Sequence, residues 1–297
     1  MYKRQILGHG IYVCRMPRTR IAPTPSGFLH PGNAINFLIT DEIAHSIGAS
    51  IRLRIDDIDA ERMRSAFVAD VFESLRWLGI DWQEGPRDAA DHERSFSLHG
   101  RIGRYLEQVD LLKEQGDLYP CTCSRTELRN GRCACRSKSL RFDDHYAAWR
   151  LRLPQDAEVR VVDLIGRVRW LRPAALMPDP VLRQRAELGA RPVYQIASLI
   201  DDVDHGITHI VRGADLLPST VCQLYLAERL GLESFQQVAF LHHPLITDSK
   251  GAKLSKSAGA ASLKAMRAKG QGPDGLRDQA TDLLQAMRDE ADQSSVP

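Results

Sequence analysis

The 297-residue sequence lacks a charge excess of either sign, because 40 lysines and arginines are balanced by 38 aspartates and glutamates. A net charge of +2 is too small to indicate a nucleic-acid-binding protein, so any RNA contact must come from local basic patches. The apolar runs stay far below the ~20 residues of a membrane span. The N-terminus lacks the ordered regions of a secretory signal. We therefore expect a cytoplasmic protein that does not contact a membrane.

No tandem repeat is visible either, and a composition with 43% hydrophobic and 26% charged residues is that of an ordinary globular protein. The length allows one large domain with an insertion, or two domains. Residues 1–15 show no clear periodic pattern and directly precede Met16. We expect them to be a dispensable extension, or Met16 to be the true start.

The first informative motif is His30-Pro31-Gly32-Asn33, which follows a proline-rich turn. Proline is favoured at the first position of a helix, and the free N–H groups of a helix N-terminus bind anions. The glycine allows a nucleotide to approach the backbone closely. The motif therefore predicts a phosphate site, although a simple turn before a helix has the same pattern.

The second motif is Lys253-Leu-Ser-Lys256-Ser, near the other end of the chain in a region rich in glycine and serine. Its two ammonium groups can neutralise charge that builds on a phosphate in a transition state. Alone, it is equally typical of a solvated basic loop. Together, the two motifs predict an ATP site that forms acyl-adenylates.

Four of the six cysteines form two close pairs, Cys121-Thr-Cys123 and Cys133-Ala-Cys135, separated by the turn sequence Asn130-Gly131. In a reducing compartment, such a cluster indicates a metal site before it indicates disulfides. Four thiolates can form a closed tetrahedral site for one structural zinc ion. The alternative is a hairpin that carries reduced cysteines.

Alternating helix and strand patterns predict an α/β fold with a doubly wound parallel sheet. Apolar residues recur at helical spacing in 32–47, 65–78, 94–118, 193–200 and 216–230, and the end of the chain adds helical stretches at 261–268 and 275–289. Strand patterns cover 50–55, 207–211 and 238–242. In the segment 50–55, polar and apolar residues alternate, which predicts a strand with one buried face.

Residues 88–178 have a different pattern, and we interpret them as an inserted subdomain that contains the cysteines and antiparallel β-structure. A basic run covers 125–141, and strand-like alternation covers 147–172. The basic run predicts a contact with an RNA backbone or, alternatively, a solvated face. The predicted division is 1–15 (extension), 16–87 and 179–257 (two halves of the nucleotide-binding domain), 88–178 (insertion) and 258–297 (helical or flexible tail).

Charged residues at the ends of the predicted strands indicate an amino-acid substrate, because strand ends of a parallel sheet face the ligand crevice. Asp56 can bind an ammonium group, while Arg20 and Arg212 can each hold a carboxylate bidentately and Tyr194 can donate a hydroxyl. Two arginines favour glutamate over glutamine. Alternatively, the acidic run after residue 55 caps the next helix and pairs with Arg62, a role that we assign to Asp57 or Asp59.

These motifs together closely resemble the catalytic domain of the class I glutamyl-tRNA synthetases. The matching strings are Arg20-Ile-Ala-Pro-Thr-Pro-Ser-Gly27, His30-Pro-Gly-Asn33, Leu53-Arg-Ile-Asp-Asp-Ile-Asp59, Leu78-Gly-Ile-Asp-Trp-Gln-Glu-Gly-Pro86, Tyr194-Gln-Ile-Ala197, Asp201-Asp202, Gly206-Ile-Thr-His-Ile-Val-Arg-Gly-Ala-Asp215 and Lys253-Leu-Ser-Lys-Ser257. Asp56 stands where the family usually has glutamate, and Ser198 where full-length members often have asparagine. Cys133 is the departure in the metal motif, where the family commonly has a tyrosine as third ligand.

The resemblance implies a Rossmann-like fold and a site for L-glutamate and for ATP with Mg²⁺. The implied glutamate contacts are Arg20, Ala22, Thr24, Asp56, Tyr194 and Arg212. The implied ATP contacts are His30, Gly32, Asp215 and Lys256, and the implied catalytic residues are His30, Lys253 and Lys256.

The residues after Ser257 are too few for the anticodon-binding domain of the full-length enzymes. With the paired cysteines, this makes the chain similar to the glutamyl-queuosine tRNA(Asp) synthetases. That family activates glutamate without tRNA and attaches it to queuosine in the anticodon loop of tRNA(Asp). We expect a monomer with this activity. The alternatives are a minimal synthetase that charges a tRNA 3′ end and an inactive RNA-binding paralogue.

Overall fold

The computed structural model describes most of the chain. It covers residues 16–58, 63–129, 133–164, 166–246 and 262–293. The predicted residues Lys253, Lys256, Asp59 and Arg62 lie outside these ranges, as do residues 1–15. Within the described ranges, no helix is both long and apolar enough to cross a membrane.

The first half of the fold begins with strand β1 (Arg18–Ile21), helix α1 (Pro31–Ile47), strand β2 (Ser50–Leu53) and helix α2 (Ser65–Trp77). Strands β1 and β2 pair in parallel. Pro31 is the first residue of α1, and Gly48 ends this helix in the left-handed conformation with φ +63°. The predicted helices at 32–47 and 65–78 and the strand at 50–55 are confirmed, and the strand is shorter than predicted.

The helix predicted at 94–118 is confirmed for residues 102–114 but does not extend back to residue 94, because the chain breaks near Ser97. The observed elements are helix α3 (Ala89–Asp91), a π-helical turn (His92–Phe96), a 3-10 turn (Leu98–Arg101) and helix α4 (Ile102–Glu114). Asp57 causes the break: its carboxylate accepts hydrogen bonds from His92 Nε2 (3.0 Å), Ser97 Oγ (2.6 Å) and Leu98 N (2.8 Å).

Asp57 therefore caps this distant segment rather than helix α2, whose N-cap residue Arg64 makes no side-chain capping bond. The predicted capping role of Asp57 for the next helix is wrong for this reason. Burial opposes ionisation of Asp57, but the hydrogen bonds from His92, Ser97 and Leu98 lower the pKa of its carboxyl below the usual value.

The strands predicted at 147–172 are confirmed, and they are divided between two sheets. The next elements along the chain are strand β3 (Leu118–Cys121), helix α5 (Arg125–Arg129), strands β4 (Ala148–Leu151), β5 (Val159–Asp163) and β6 (Val168–Leu171), helix α6 (Pro173–Leu176) and strand β7 (Val181–Arg183). β3, β4 and β7 form an antiparallel sheet, whereas β5 and β6 form a hairpin that joins the main sheet.

The second half of the fold consists of helix α7 (Tyr194–Asp204), strand β8 (His209–Gly213), helices α8 (Leu217–Arg229) and α9 (Glu233–Gln236) and strand β9 (Ala239–His243). β9 pairs in parallel with β8 on one side and with β5 on the other. β1 lies beside β8, and Thr208 N donates to Arg18 O at 2.9 Å where the two strands begin. The parallel strands therefore follow the order β2, β1, β8, β9, β5, and the predicted doubly wound sheet is confirmed.

Buried apolar side chains form one large cluster on each side of this sheet. One cluster contains residues of α1, α2, β1 and β2, and the other contains residues of α4, α7, α8, β5 and β9. The last helices, α10 (Leu263–Ala268) and α11 (Asp274–Gln293), add Leu263, Leu276 and Leu284 to the first cluster. The helices predicted at 261–268 and 275–289 are thus confirmed.

The sheet pairing bears on the predicted domain division, which itself stays a prediction. Strand β5 lies within residues 88–178, yet it pairs in parallel with β9 and so belongs to the parallel sheet. Its residues Val159 and Val161 pack into the same apolar cluster as α8. β7 lies after residue 178 yet pairs with β4 of the antiparallel sheet.

We expect Gly85→Ala to destabilise the fold by about 1–3 kcal/mol. Gly85 has φ +99°, and a Cβ atom placed there would lie 2.1 Å from the backbone oxygen of Leu53 in β2. Gly48→Ala is the matched control, since Gly48 has φ +63° with no atom within 4 Å of an added Cβ. Urea unfolding of both variants measures the difference, and equal losses would contradict this account of Gly85.

Candidate active site

A cavity of about 550 Å³ opens where strands β1, β8 and β9 end. All nine predicted substrate residues that the structure describes line this cavity: Arg20, Ala22, Thr24, His30, Gly32, Asp56, Tyr194, Arg212 and Asp215. A larger cavity of about 670 Å³ between α1, β9 and α11 contains none of them. The structure thus brings the predicted residues together, while the role of each stays a prediction.

One end of the cavity is formed by the N-terminus of α1. Asn33 Oδ1 accepts a hydrogen bond from the backbone N–H of His30 at 3.1 Å, which fixes the entry into the helix. His30, Gly32 and Asn33 all line the cavity, so the positive end of the helix faces it. This end can hold an anionic group such as a phosphate.

Sequence reasoning missed a polar pair in the wall of the cavity, Asn36 and His243. The Nδ1 atom of His243 lies 2.8 Å from the carbonyl oxygen of Pro244, so Nδ1 carries the proton. Nε2 then accepts from Asn36 Nδ2 at 3.0 Å, which links α1 to the end of β9. Burial lowers the pKa of His243, so the neutral form fits this arrangement. The sequence feature that could have indicated this pair is the second of two consecutive histidines, which directly follows the predicted strand 238–242.

Asp56 is held from behind by Arg54, another residue that sequence reasoning missed. Arg54 is only 6% exposed, and it donates to Asp56 through Nε (2.6 Å) and Nη2 (3.4 Å). Its Nη1 also donates to Asp202 (2.7 Å), and its Nη2 to Ser198 Oγ (2.9 Å). Burial raises the pKa of Asp56 even though Arg54 favours the ionised form. Arg54 therefore fixes the direction in which Asp56 presents its carboxylate.

Arg20 shares the carboxylate of Asp202 with Arg54. Its Nε lies 3.4 Å from Asp202 Oδ1, and its Nη1 donates to the backbone oxygen of Val211 at 3.4 Å. Asp202 is fully buried in α7, so one carboxylate is bound by guanidinium groups from β1 and from the end of β2.

Arg212 differs from the other two arginines because no carboxylate of the described residues contacts it. Its Nη1 donates to Thr220 Oγ1 (3.2 Å) and Gln223 Oε1 (3.0 Å), both neutral. Nε and Nη2 are buried and have no hydrogen-bond partner among the described residues. Burial lowers the pKa of Arg212, yet arginine stays protonated. The cavity therefore contains a buried cation with open donors, which is a site for an anion.

The four clustered cysteines lie outside this cavity, at the end of β3 and in the following loop. Their Sγ atoms all lie within 4.8 Å of one another, and neighbouring sulfurs are 3.2–3.7 Å apart. These distances exceed the ~2.05 Å of a disulfide bond. They approach the ~3.8 Å between thiolates around a tetrahedral zinc ion. The cluster fits a metal ion, and Cys133 is close enough to be one of its ligands.

The basic run 125–141 is partly neutralised by the protein itself. Arg136 Nη1 lies 3.3 Å from the carboxylate of Asp179, and Arg141 forms an ion pair with Asp143. Arg185 donates to the backbone oxygens of Thr122 (3.0 Å) and Cys123 (2.8 Å) and so anchors the loop that contains the cysteines. The RNA contact of the basic run stays a prediction.

A doubly wound sheet, with a helix N-terminus and a charged cavity at its strand ends, is typical of the nucleotide-binding domain of class I synthetases. Residues 16–159 and 136–279 match the family model described as tRNA synthetases class I (E and Q), catalytic domain. The chain belongs to this family and is an ATP-dependent ligase of the aminoacyl-tRNA synthetase type.

Several relatives are similar over most of this chain. The glutamyl-Q tRNA(Asp) synthetase of Symbiobacterium thermophilum is 36% identical over 86% of this chain and 82% of its own length. A glutamate–tRNA ligase of Synechococcus sp. (strain CC9605) is 34% identical over 90% of this chain and 58% of its own length. The glutamate tRNA ligase of Elizabethkingia meningosepticum, solved in complex with its amino acid, gives a TM-score of 0.66 at 25% identity over 82% of this chain and 53% of that one. This chain spans little more than half the length of these ligases.

We expect Arg54→Met to lower the free energy of unfolding by about 3–5 kcal/mol, because it leaves buried Asp56 without its cation. Arg172→Met is the matched control, since Arg172 pairs with Glu158 at the surface. Arg172→Met should lower the free energy of unfolding by less than about 1 kcal/mol. Chemical denaturation of both variants measures the difference, and similar midpoints and slopes would show that the buried network does not stabilise the fold.

Proposed function

We propose that the protein activates L-glutamate with ATP in the absence of tRNA and transfers it to queuosine in the anticodon loop of tRNA(Asp). The observation that carries the glutamate assignment is Arg212, a buried guanidinium with open donors and no carboxylate partner among the described residues. The similarity to the glutamyl-Q tRNA(Asp) synthetase over 82% of that relative's length supports the acceptor.

In this proposal, the side-chain carboxylate of glutamate binds Arg212 and Arg20, and Tyr194 donates its hydroxyl to the same group. Both arginines line the cavity, and a charge-assisted bond to each compensates for removing the carboxylate from water. Asp56, oriented by Arg54, binds the α-ammonium group. Ala22 and Thr24, directly after β1, form the wall beside the substrate. The α-carboxylate of glutamate is then free to react with ATP.

ATP occupies the end of the cavity at α1, where His30 and Gly32 contact it, and Asp215, which also lines the cavity, is a further contact. Mg²⁺ accompanies ATP and neutralises charge on its phosphates. An oxygen of the α-carboxylate attacks the α-phosphorus, a new P–O bond forms, and pyrophosphate leaves. Lys253 and Lys256 would stabilise the negative charge on the leaving pyrophosphate. His30 and the N-terminus of α1 would stabilise the negative charge on the α-phosphate.

In the second step, a hydroxyl of the queuosine cyclopentene ring attacks the acyl carbon of glutamyl-adenylate. An ester bond forms, the bond to the phosphate breaks, and AMP leaves with the proton passing to solvent. A second candidate function is charging of a tRNA 3′ end, which the similarity to glutamate–tRNA ligases favours. An inactive RNA-binding paralogue would have no need for the open donors of Arg212. We also propose that the protein acts as a monomer in the cytoplasm.

We expect glutamate-dependent exchange of pyrophosphate into ATP without any tRNA, because all described pocket residues come from one domain. Arg212→Met should reduce the exchange at least ~10-fold, since it removes a charge-assisted partner. Radiolabelled pyrophosphate measures both. Exchange that requires tRNA, or an Arg212→Met variant with an unchanged glutamate titration, would contradict the proposal.

Charging of tRNA(Asp) with and without queuosine then separates the two acceptors. Periodate cannot make this distinction, because it cleaves the vicinal diol of the queuosine ring as well as that of the terminal ribose. A tRNA(Asp) whose 3′-terminal nucleotides have been removed with a phosphodiesterase is used instead. Labelling that requires queuosine and persists in the trimmed tRNA identifies the modified base, and labelling that is lost on trimming identifies the 3′ end.

We further propose that Cys121, Cys123, Cys133 and Cys135 hold one structural zinc ion. About one zinc per chain should be found by elemental analysis of protein purified without chelator. Cys133→Ser should lose most of the metal, because three thiolates leave the tetrahedral site open, whereas Cys222→Ala, at a buried lone thiol, should keep it. Metal removal should reduce transfer to RNA and spare pyrophosphate exchange. Metal-free protein with four titratable thiols in this cluster would refute the assignment.

A further inference from the structure

Among the described residues, the groups that contact the guanidinium of Arg212 directly are neutral, and the charges of Asp202, Arg20 and Arg54 act on it only at a distance. Thr220 Oγ1 and Gln223 Oε1, both on α8, accept from Nη1. The ring of Phe240 lies 5.7 Å from its Cζ and provides an apolar neighbour. Arg212, Thr220 and Gln223 are all at most 2% exposed. Solvent therefore does not screen the charge, and its interaction with any carboxylate is strong.

The two neutral acceptors are themselves oriented by further hydrogen bonds. Gln223 Nε2 donates to the backbone oxygen of Gln195 at 3.4 Å, so its Oε1 points to Arg212. Thr220 Oγ1 lies 2.8 Å from His242 Nε2. Burial lowers the pKa of His242 to about 3, so its ring is neutral, and the Thr220 hydroxyl also reaches the backbone oxygen of Leu216 at 3.3 Å. In either tautomer of His242, Thr220 Oγ1 keeps a lone pair that can accept from Arg212.

This neutral surrounding contrasts with that of the other two buried arginines. Arg54 contacts Asp56 and Asp202, and Arg20 contacts Asp202. Each of those two arginines pairs directly with a carboxylate of the protein, whereas Arg212 has no such partner among the described residues and interacts with Asp202 only at a distance, against the opposing charges of Arg20 and Arg54. A substrate carboxylate would supply the missing charge, and a substrate amide would not. The neutral neighbours are thus as important for the choice of substrate as the arginine itself.

We propose that Gln223 and Thr220 are positioning residues that hold Arg212 without neutralising it and thereby set the preference for an anionic over an amide side chain in the amino-acid substrate. This inference rests on the proposed activation of glutamate. It assigns selectivity to two neutral residues on α8, oriented by Gln195 and His242.

The test compares Gln223→Glu with Gln223→Met in tRNA-independent pyrophosphate exchange with glutamate and with glutamine. Gln223→Glu is nearly isosteric and would pair with Arg212, so kcat/KM for glutamate should fall on the order of 100-fold. Glutamine should be affected far less, so the ratio of the two kcat/KM values should fall as well. Gln223→Met removes an acceptor without adding charge and should cost less than ~10-fold with the ratio preserved.

Gln108→Glu, at a buried position in α4 outside the cavity, is the matched control for a buried charge. It should leave the ratio unchanged. The KM for ATP should stay within about twofold in every variant, because ATP occupies the other end of the cavity. Thr220→Asp and Thr220→Val repeat the comparison from the second position, so a Gln223→Glu variant that does not fold still leaves the inference testable.

The possible outcomes are distinct. Equal losses in the acidic and neutral variants, or an unchanged glutamate-to-glutamine ratio in Gln223→Glu, would overturn the inference and leave the proposed function intact. A wild-type protein without glutamate-dependent exchange would overturn both.

Discussion

The buried carboxylate of Asp202 holds the substrate side of this protein together. It accepts from Arg54 at 2.7 Å and lies 3.4 Å from Arg20, so it links α7 to β1 and to the segment after β2. Without the carboxylate of Asp202, the guanidinium groups of Arg20 and Arg54 would repel each other. Asp56 compensates the second of these two positive charges. The positions of Arg20 and Asp56 in the cavity follow from this network.

The same network explains why the pocket is asymmetric. Arg54 and Arg20 are compensated by carboxylates of the protein, whereas Arg212 on β8 contacts neutral acceptors from α8. The parallel sheet brings the ends of β1 and β8 side by side. It thus places in one cavity an arginine that is paired with a carboxylate and one that has no such partner among the described residues. Such an arrangement presents opposite charges at separate points, as the proposed amino-acid substrate requires.

The cysteine cluster is built on different elements from the cavity. Cys121 ends β3, which pairs with β4 in the antiparallel sheet, and Arg185 anchors the neighbouring loop through two backbone oxygens. The hairpin β5–β6 returns the chain to the parallel sheet, where β5 pairs with β9. The chain thus leaves the parallel sheet and re-enters it, and the cysteine cluster lies on the part between.

The sequence by itself determined the elements and the residues that carry charge at their ends. Helical spacing predicted α1, α2, α7 and α8, because the apolar face of a helix is a local pattern that tertiary structure rarely overrides in long elements. Signature strings likewise predicted nine of the residues that line the cavity, since short motifs at strand ends converge on one edge of a parallel sheet.

Only the tertiary structure decided which residues hold the predicted ones in place. Arg54 alternates with apolar neighbours and so has the pattern of a solvent-facing position, yet it is buried because Asp202, far away in the chain, compensates its charge. Asp57 breaks a predicted helix through contacts near Ser97, and Gln223 and His242 orient Arg212 from other elements. Partners of this kind are separated by many residues, so no local period in the sequence records them.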